Sequence, residues 1–200
     1  MLELHDLTTS QVGPVSLTVA SGQCIAVRGA SGSGKSLLLR AIADLDPNNG
    51  TVRLAGVDRG TIPADQWRRD VALVPAETGW WDDRVSDHFD APDAAAKLAA
   101  AVGLPDAMGW DVARLSSGER HRLAIVRALC LHPKVLMLDE PTATLDEMAA
   151  RQVETLLKSR LRHGMAMIVV THDPGQPARL NARGFVMENG RLSAAQEERG

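Results

Sequence analysis

An α/β domain with a mostly parallel central sheet is the fold class this sequence predicts, on three observations. Short, continuously apolar runs recur at residues 24–27, 135–138 and 165–170, as in strands buried on both faces of a parallel sheet. Segments of helical character alternate with them, which favours parallel strands joined by crossover helices. A glycine-rich turn directly follows the first run and leads into a helix. The chain has 200 residues, enough for one domain that buries about 70% of its unfolded surface.

Each element has its own local reason. Residues 2–7 and 15–19 alternate apolar and polar side chains, the period of half-buried strands. Residues 24–29, "CIAVRG", form a fully buried strand, and a helix is expected over 36–45. "DPNNG" at 46–50 is a turn, and "TVRLAG" at 51–56 alternates again. The alternating strands make up an N-terminal antiparallel β subdomain. "DVALV" at 70–74 is a strand, and the alanine-rich stretch at 93–102 is helical. "ARLSSGERHRLAIVRAL" at 113–129 is a small polar turn running into a helix. Ser116, Ser117 and Gly118 there supply a cap and backbone N–H groups at the positive end of the helix dipole, a ready anion site. "KVLMLDE" at 134–140 is a buried strand ending in two acids; 147–163 is a helix stopped by Gly164. "MAMIVVTH" at 165–172 is a last buried strand, "FVMENGRL" at 185–192 a hairpin, and 194–200 a frayed end.

"GASGSGKS" satisfies G-x-x-x-x-G-K-[ST] in the strand–loop–helix setting of a P-loop NTPase. Gly29, Ala30, Ser31, Gly32, Ser33, Gly34, Lys35 and Ser36 are thus the candidate nucleotide-binding residues. Glycines let backbone N–H groups turn inward around phosphates, Lys35 reaches the β- and γ-phosphates, and the Ser36 hydroxyl ligates Mg²⁺. The apolar strand at 135–138 carries Asp139 to the carboxyl edge of the sheet, where such folds bind ligands. There Asp139 holds the metal through water and Glu140 acts on the attacking water as general base.

Further motifs extend the pattern. "LSSGE" at 115–119, "EPTATLD" at 140–146 and "VVTHD" at 169–173 follow the P-loop in order. With these motifs the chain resembles an ATP-binding cassette (ABC) ATPase along essentially its whole length. Within that family it is similar to a compact group associated with iron export, through "GLPD" at 103–106 and "HPKVLMLDE" at 132–140. The resemblance implies one domain over 1–200, with a short α-helical subdomain over about 77–128. It also explains a second anion site so far from the first. In the family two cassettes pair head to tail, and each signature loop closes on the γ-phosphate held by the other's P-loop. Ser116, Ser117, Gly118 and Glu119 carry over as that loop, acting in trans. Leu145 and Asp146 carry over as the D-loop at the same interface, and His172 as the switch histidine that joins Lys35 and Glu140 in catalysis. ATP and Mg²⁺ are the implied cofactors. The implied partners are a second cassette, most simply another copy of this chain, and a separate transmembrane permease.

The sequence departs from the family at three places. Ala76 stands where the family carries the glutamine that helps coordinate the metal and senses the permease, with Glu77 as a possible substitute. Ser117 replaces a usual glycine, which either crowds the closing interface or is tolerated in a helical conformation. The usual adenine-stacking aromatic falls near Gln11, and no aromatic precedes Trp67. A base–aromatic stack is worth about 1–3 kcal/mol, so weaker and less adenine-selective binding is expected. In the adjacent pair Trp80 and Trp81, alternation along an extended segment predicts one inward ring and one outward ring facing the permease.

Composition narrows the rest. Net charge is −3 with no run of Lys and Arg, which argues against a nucleic-acid partner. Cys24 and Cys130 form no CxxC or zinc spacing and read as reduced thiols. The apolar run at 165–170 is too short to cross a bilayer, and no leader is expected ahead of the first strand. The expected location is the cytoplasmic face of a membrane, reached through the permease. Two other readings stay open, a soluble non-transport cassette and a degenerate regulatory cassette, although Lys35, Asp139, Glu140 and His172 are all present.

Overall fold

Strand patterning decides which sheet each segment joins. The structure is a computed structural model that describes residues 1–195. Strands β1 (Leu2–Thr8) and β2 (Val15–Val19) alternate buried and exposed residues, whereas β3 (Cys24–Arg28) is buried along nearly its whole length. Helix α1 (Lys35–Ile42) leads to β4 (Asn49–Leu54) and the short β5 (Val57–Asp58). Helix α2 (Ala64–Asp70) precedes β6 (Val71–Val74). The helical region follows, with α3 (Pro92–Ala101) and α4 (Ser117–Cys130) joined through short 3₁₀ turns. Then come β7 (Val135–Asp139), α5 (Glu147–Arg162), β8 (Ala166–Val170), α6 (Gln176–Arg179), β9 (Arg183–Glu188) and β10 (Arg191–Ala194).

The alternating strands form a four-stranded sheet in the order β2-β1-β4-β5, with antiparallel pairings. The buried strands β3, β6, β7 and β8, with the half-exposed β9 and the exposed β10 at one edge, form a six-stranded sheet, β10-β9-β3-β8-β7-β6, in which only the β9–β10 pairing is antiparallel. One apolar core, including Leu4, Val52, Ile25, Leu39 and Ile168, fills the space between the two sheets around α1. A second, including Leu123, Ile125, Leu136, Val169 and Val153, joins the opposite face of the parallel sheet to the helical region. No helix among the described residues is long and apolar enough to cross a membrane.

Local chemistry accounts for the differences from expectation. Helix α1 ends before residue 45 because Asp44 turns left-handed (φ 58) just beyond the Ala43 cap. The alternation in β1 is broken by a register shift between Leu4 and Leu7, with Asp6 at φ 49. Helix α2 escaped the sequence reading because it has one apolar anchor, Trp67, in seven residues. That indole is fully buried, and its Nε1 donates to the Ile42 carbonyl at 3.0 Å. The end expected to fray at 194 is instead paired, Ala194 opposite Phe185; residues 196–200 lie outside the described residues.

Cys24 is 2% exposed, and burial pushes its thiol up to about 12. A thiol so protonated and covered is inert in the folded protein. With Cys130→Ser in place, Ellman's reagent at pH 8 should release no signal from native protein and the full Cys24 signal in denaturant. Prompt native reaction would contradict this packing.

Candidate functional site

The phosphate loop is built by the exit of β3. Gly29 lies at φ 150, and a Cβ there would sit 2.2 Å from the Met187 carbonyl oxygen, so no larger residue fits. Gly34, left-handed at φ 106, is the N-cap of α1 and supplies no side chain to it, which leaves the first-turn N–H groups free for an anion. The Lys35 ammonium is nearly buried and donates to the Gly29 and Ala30 carbonyls at 2.8 and 2.9 Å. Ser33 Oγ is buried without a protein partner. Free N–H groups, an unpartnered hydroxyl and an ammonium on one turn suit a polyphosphate. The exposed Ser36 hydroxyl and the 7%-exposed Asp139 carboxylate are hard oxygen donors, the kind Mg²⁺ prefers.

Adjacent parallel strands assemble the acid and the histidine. Asp139 pairs with Val170 across β7 and β8, and Glu140 N–H donates to the Val170 carbonyl at 2.9 Å. Glu140 adopts a left-handed φ of 55, a strained conformation of the sort that clusters at active sites. Its Oε1 lies 3.2 Å from His172 Nε2, and its Oε2 accepts the His172 backbone N–H at 3.3 Å. The segment after His172 is anchored in turn. Arg179 bonds the buried Glu154 on α5, with Nε to Oε2 at 2.8 Å, and also bonds Asp173; these partners raise its pKa. Gln176 Nε2, fully buried, donates to Thr142 Oγ1 at 2.9 Å.

The turn expected to be a second anion site sits at the start of α4, where Ser116 and Glu119 bond each other. Ser116 Oγ accepts from Glu119 N–H at 3.2 Å, while Glu119 Oε2 accepts from Ser116 N–H at 2.8 Å, a complete capping box. The Ser116 backbone bond, ahead of nearby arginines, holds the Glu119 carboxyl below its ordinary 4.5. Ser117 is the first helical residue of α4, so its Cβ brings no backbone strain. A Cβ on Gly118 would come 3.2 Å from Thr144 O and 3.1 Å from Leu145 Cδ2, which places the expected signature turn against the expected D-loop. Asp146 caps α5 by accepting from Ala149 N–H at 2.8 Å. Among the described residues no hydrogen bond or ion pair joins residues 116–119 to the phosphate loop.

Three groupings escaped the sequence reading. Buried His121 on α4 meets the Ala76 backbone; burial lowers its pKa, opposed by that backbone contact and by the Asp139 charge. Arg127, also on α4, packs on Trp80 and Trp81. The Arg179 network pairs residues far apart in sequence. The helical period of α4 could have put His121 on the apolar face that carries Ala124, Ile125 and Ala128. Trp80 is half-buried and Trp81 is 69% exposed, as expected, yet alternation is not the cause, since both rings pack on the same Arg127 and His88. Gln11 is exposed and sits in a tight turn in which Thr9 Oγ1 accepts its N–H at 3.2 Å.

This order of sites is matched by one family, ABC transporter, over residues 12–143. The chain belongs to that family. It is 36% identical to the aliphatic sulfonates import ATP-binding protein SsuB 2 of Agrobacterium fabrum, over 89% of this chain and 70% of that one. It is also 36% identical to the lipoprotein-releasing system ATP-binding protein LolD of a Shewanella species, over 96% of this chain and 91% of that one. A solved dimeric ATP-binding cassette in a post-hydrolysis state, bound to ADP and Pi, shares the fold with a TM-score of 0.83, 24% identity and full coverage of both chains. This ABC protein is therefore an ATP-hydrolysing subunit with the mixed parallel and antiparallel architecture that its sequence predicts. The two relatives are named for different cargoes, and neither is named for iron export.

The capping box generates a stability prediction. Glu119 supplies the second bond of the box, so Glu119→Ala should lower the thermal unfolding midpoint, and Glu119→Gln, which still accepts from Ser116 but carries no charge, should fall between it and the parent. Because the folded carboxyl titrates below 4.5, the parent's margin over Glu119→Gln should be full above that pH and fade as pH falls further. Equal melting of both variants and the parent at neutral pH would contradict the box.

Proposed function

We propose that two cassettes close head to tail around two ATP molecules, and that hydrolysis reopens them to drive a separate membrane permease. The observation that carries this reading is the separation of the chain's two anion-binding turns, with the signature turn fixed to the D-loop and unconnected to its own P-loop. A partner in antiparallel orientation brings the missing half to each site. Lys35 and the free N–H groups of α1 then hold the β- and γ-phosphates, and Ser116 and Gly118 of the opposite chain face the γ-phosphate. Glu140 accepts the proton of the attacking water as the bond from γ-phosphorus to the ADP oxygen breaks. His172 holds the carboxylate in place and reaches toward the γ-phosphate. Ser36, and Asp139 through water, would hold Mg²⁺, which would neutralise phosphate charge there.

The active dimer is most simply two copies of this chain. It works on the cytoplasmic side of a membrane, with Trp81 turned toward the permease. Retention of Lys35, Asp139, Glu140 and His172 favours a working ATPase over a degenerate cassette, and an acidic surface without basic runs favours transport over nucleic-acid work.

Glu140→Gln should keep ATP binding, lower kcat by about 10²–10⁴-fold, and shift the chain to a dimer with Mg·ATP in size-exclusion chromatography with light scattering. A variant that hydrolyses at the parent rate or stays monomeric would overturn the role. The place of the family glutamine yields a second expectation. Ala76→Gln should lower the Mg²⁺ concentration needed for half-maximal hydrolysis, whereas Glu77→Ala, at an exposed position, leaves it unchanged. If Glu77→Ala costs activity and Ala76→Gln does nothing, Glu77 has taken over the metal contact.

A further inference from the structure

Arg127 lies toward the C-terminal end of α4, the helix whose first turn is the signature, and the loop that begins at Ala76 grips it. Its guanidinium carbon is 4.8 Å from the Trp80 ring centroid and 4.7 Å from that of Trp81. Its Nη2 donates to the Gly79 carbonyl at 3.0 Å, while Nη1 is buried with no hydrogen-bond partner. A surface arginine has no reason to strip water from one amine; a planar cation stacked on two indoles does. His88 holds the same pair, with its ring 4.7 Å from Trp80 and 4.6 Å from Trp81. Its Nε2 accepts the backbone N–H groups of Trp81 and Asp82 at 3.0 and 3.1 Å, which leaves the proton on Nδ1 to donate to the Arg84 carbonyl.

The fastening continues on both sides. Val112 N–H donates to Asp83 O at 2.7 Å and Val85 N–H to Trp110 O at 3.0 Å, so the loop is also bonded to the strand-like lead-in of the signature. At its start the Ala76 backbone meets the His121 ring from α4. By contrast, the Ala76 side chain has no polar atom with which to reach a metal. The loop is therefore tied to the signature helix at several points and has lost the side-chain link to its own catalytic centre.

We propose that Arg127 is a positioning residue for the signature turn: clasped by Trp80 and Trp81, it makes the loop after Ala76 and helix α4 one rigid piece. Displacement of the exposed Trp81 end is then delivered along the helix to Ser116 and Gly118, and so to the nucleotide held by the opposite cassette, not to the metal of its own. The inference rests on the head-to-tail reading above.

The test uses the Glu140→Gln chain as parent and compares Arg127→Ala, Arg127→Lys, Trp81→Ala and the Arg127→Ala/Trp81→Ala pair. Binding of a fluorescent ATP analogue with Mg²⁺ is read at chain concentrations below dimerisation, and ATP-driven dimerisation is read by sedimentation. Arg127→Ala should keep ATP affinity within twofold of the parent and weaken dimerisation at least tenfold. Arg127→Lys, which keeps the charge but not the stacked plane, should fall between. Trp81→Ala should weaken the dimer as well, and the pair should lose no more than the worse single. Dimerisation within twofold of the parent for both Arg127 variants, additive losses in the pair, or ATP affinity falling in step with dimerisation would overturn the proposal. Should Arg127→Ala melt before assay, Arg127→Lys and Trp81→Ala decide it. A parent that stays monomeric with Mg·ATP overturns the head-to-tail reading and this inference with it.

Discussion

The parallel register of β3, β8 and β7 is the constraint on which the rest of this protein depends. Val27 pairs with Val170, and Val170 with Asp139, so three strand ends finish together at one edge of the sheet. The β3 exit becomes the phosphate loop, the β7 exit becomes Asp139 and Glu140, and the β8 exit becomes His172. A shift of two residues in the β7–β8 pairing would move Glu140 by about 6–7 Å relative to His172 and abolish their 3.2 Å contact. Burial enforces the register. Every residue of β7 and β8 is buried, and Leu136, Met137, Ile168 and Val169 fill two cores on opposite faces of the sheet. Catalytic geometry is in this sense a by-product of packing between two sheets and a helical layer.

The two departures inside the signature region and its neighbouring loop have different physical standing. Ser117 is accommodated because the first turn of α4 is right-handed at that residue, so a side chain adds bulk at an exposed position without backbone strain. Ala76 removes a functional group outright, and nothing at the same backbone position replaces it. What the loop has in place of that amide is a set of bonds to α4, in which one cation is shared by two indoles and an imidazole orders the backbone beneath them. Mechanical fastening to the signature helix stands where a metal contact stood in the family pattern.

Most of the parallel sheet was legible because residues 24–27, 135–138 and 165–170 are apolar without interruption, and the phosphate loop because its spacing is tied to a strand–loop–helix setting. The candidate residues Lys35, Asp139, Glu140 and His172 were legible for the same reason, Lys35 closing the loop that leaves β3 and the other three standing at or just past the end of a recognisable strand. Helix α2 was not, since Trp67 alone carries its burial. The bulge in β1 and the end of α1 depend on left-handed residues, Asp6 and Asp44, that no periodicity reveals. Arg127 and Arg179 were hidden for a further reason. Their partners, Trp80 and Trp81 in one case and Glu154 in the other, come close only when distant segments fold together. The bond over Ser116 is different, being local: Ser116 and Glu119 stand three residues apart in the S-x-x-E spacing of a capping box. Reading Glu119 only as part of a signature passed over that pattern; the structure shows its carboxylate accepting from both the Ser116 N–H and the Ser116 hydroxyl.

On the head-to-tail reading that bond gives the composite site its logic: Ser116 is held by Glu119 in the lone chain, and a phosphate from another chain would compete for the same donors. The direct measurement is a disulfide between the two halves of one site. In a Glu140→Gln, Cys130→Ser background, with buried Cys24 silent, Ser31→Cys and Ser117→Cys introduce thiols at exposed positions on the phosphate loop and the signature turn. Mild oxidation with Mg·ATP should trap a covalent dimer, and oxidation without nucleotide should trap little. Chains that stay monomeric under oxidation with Mg·ATP, or that cross-link internally with no need for nucleotide, would contradict a site built from two chains.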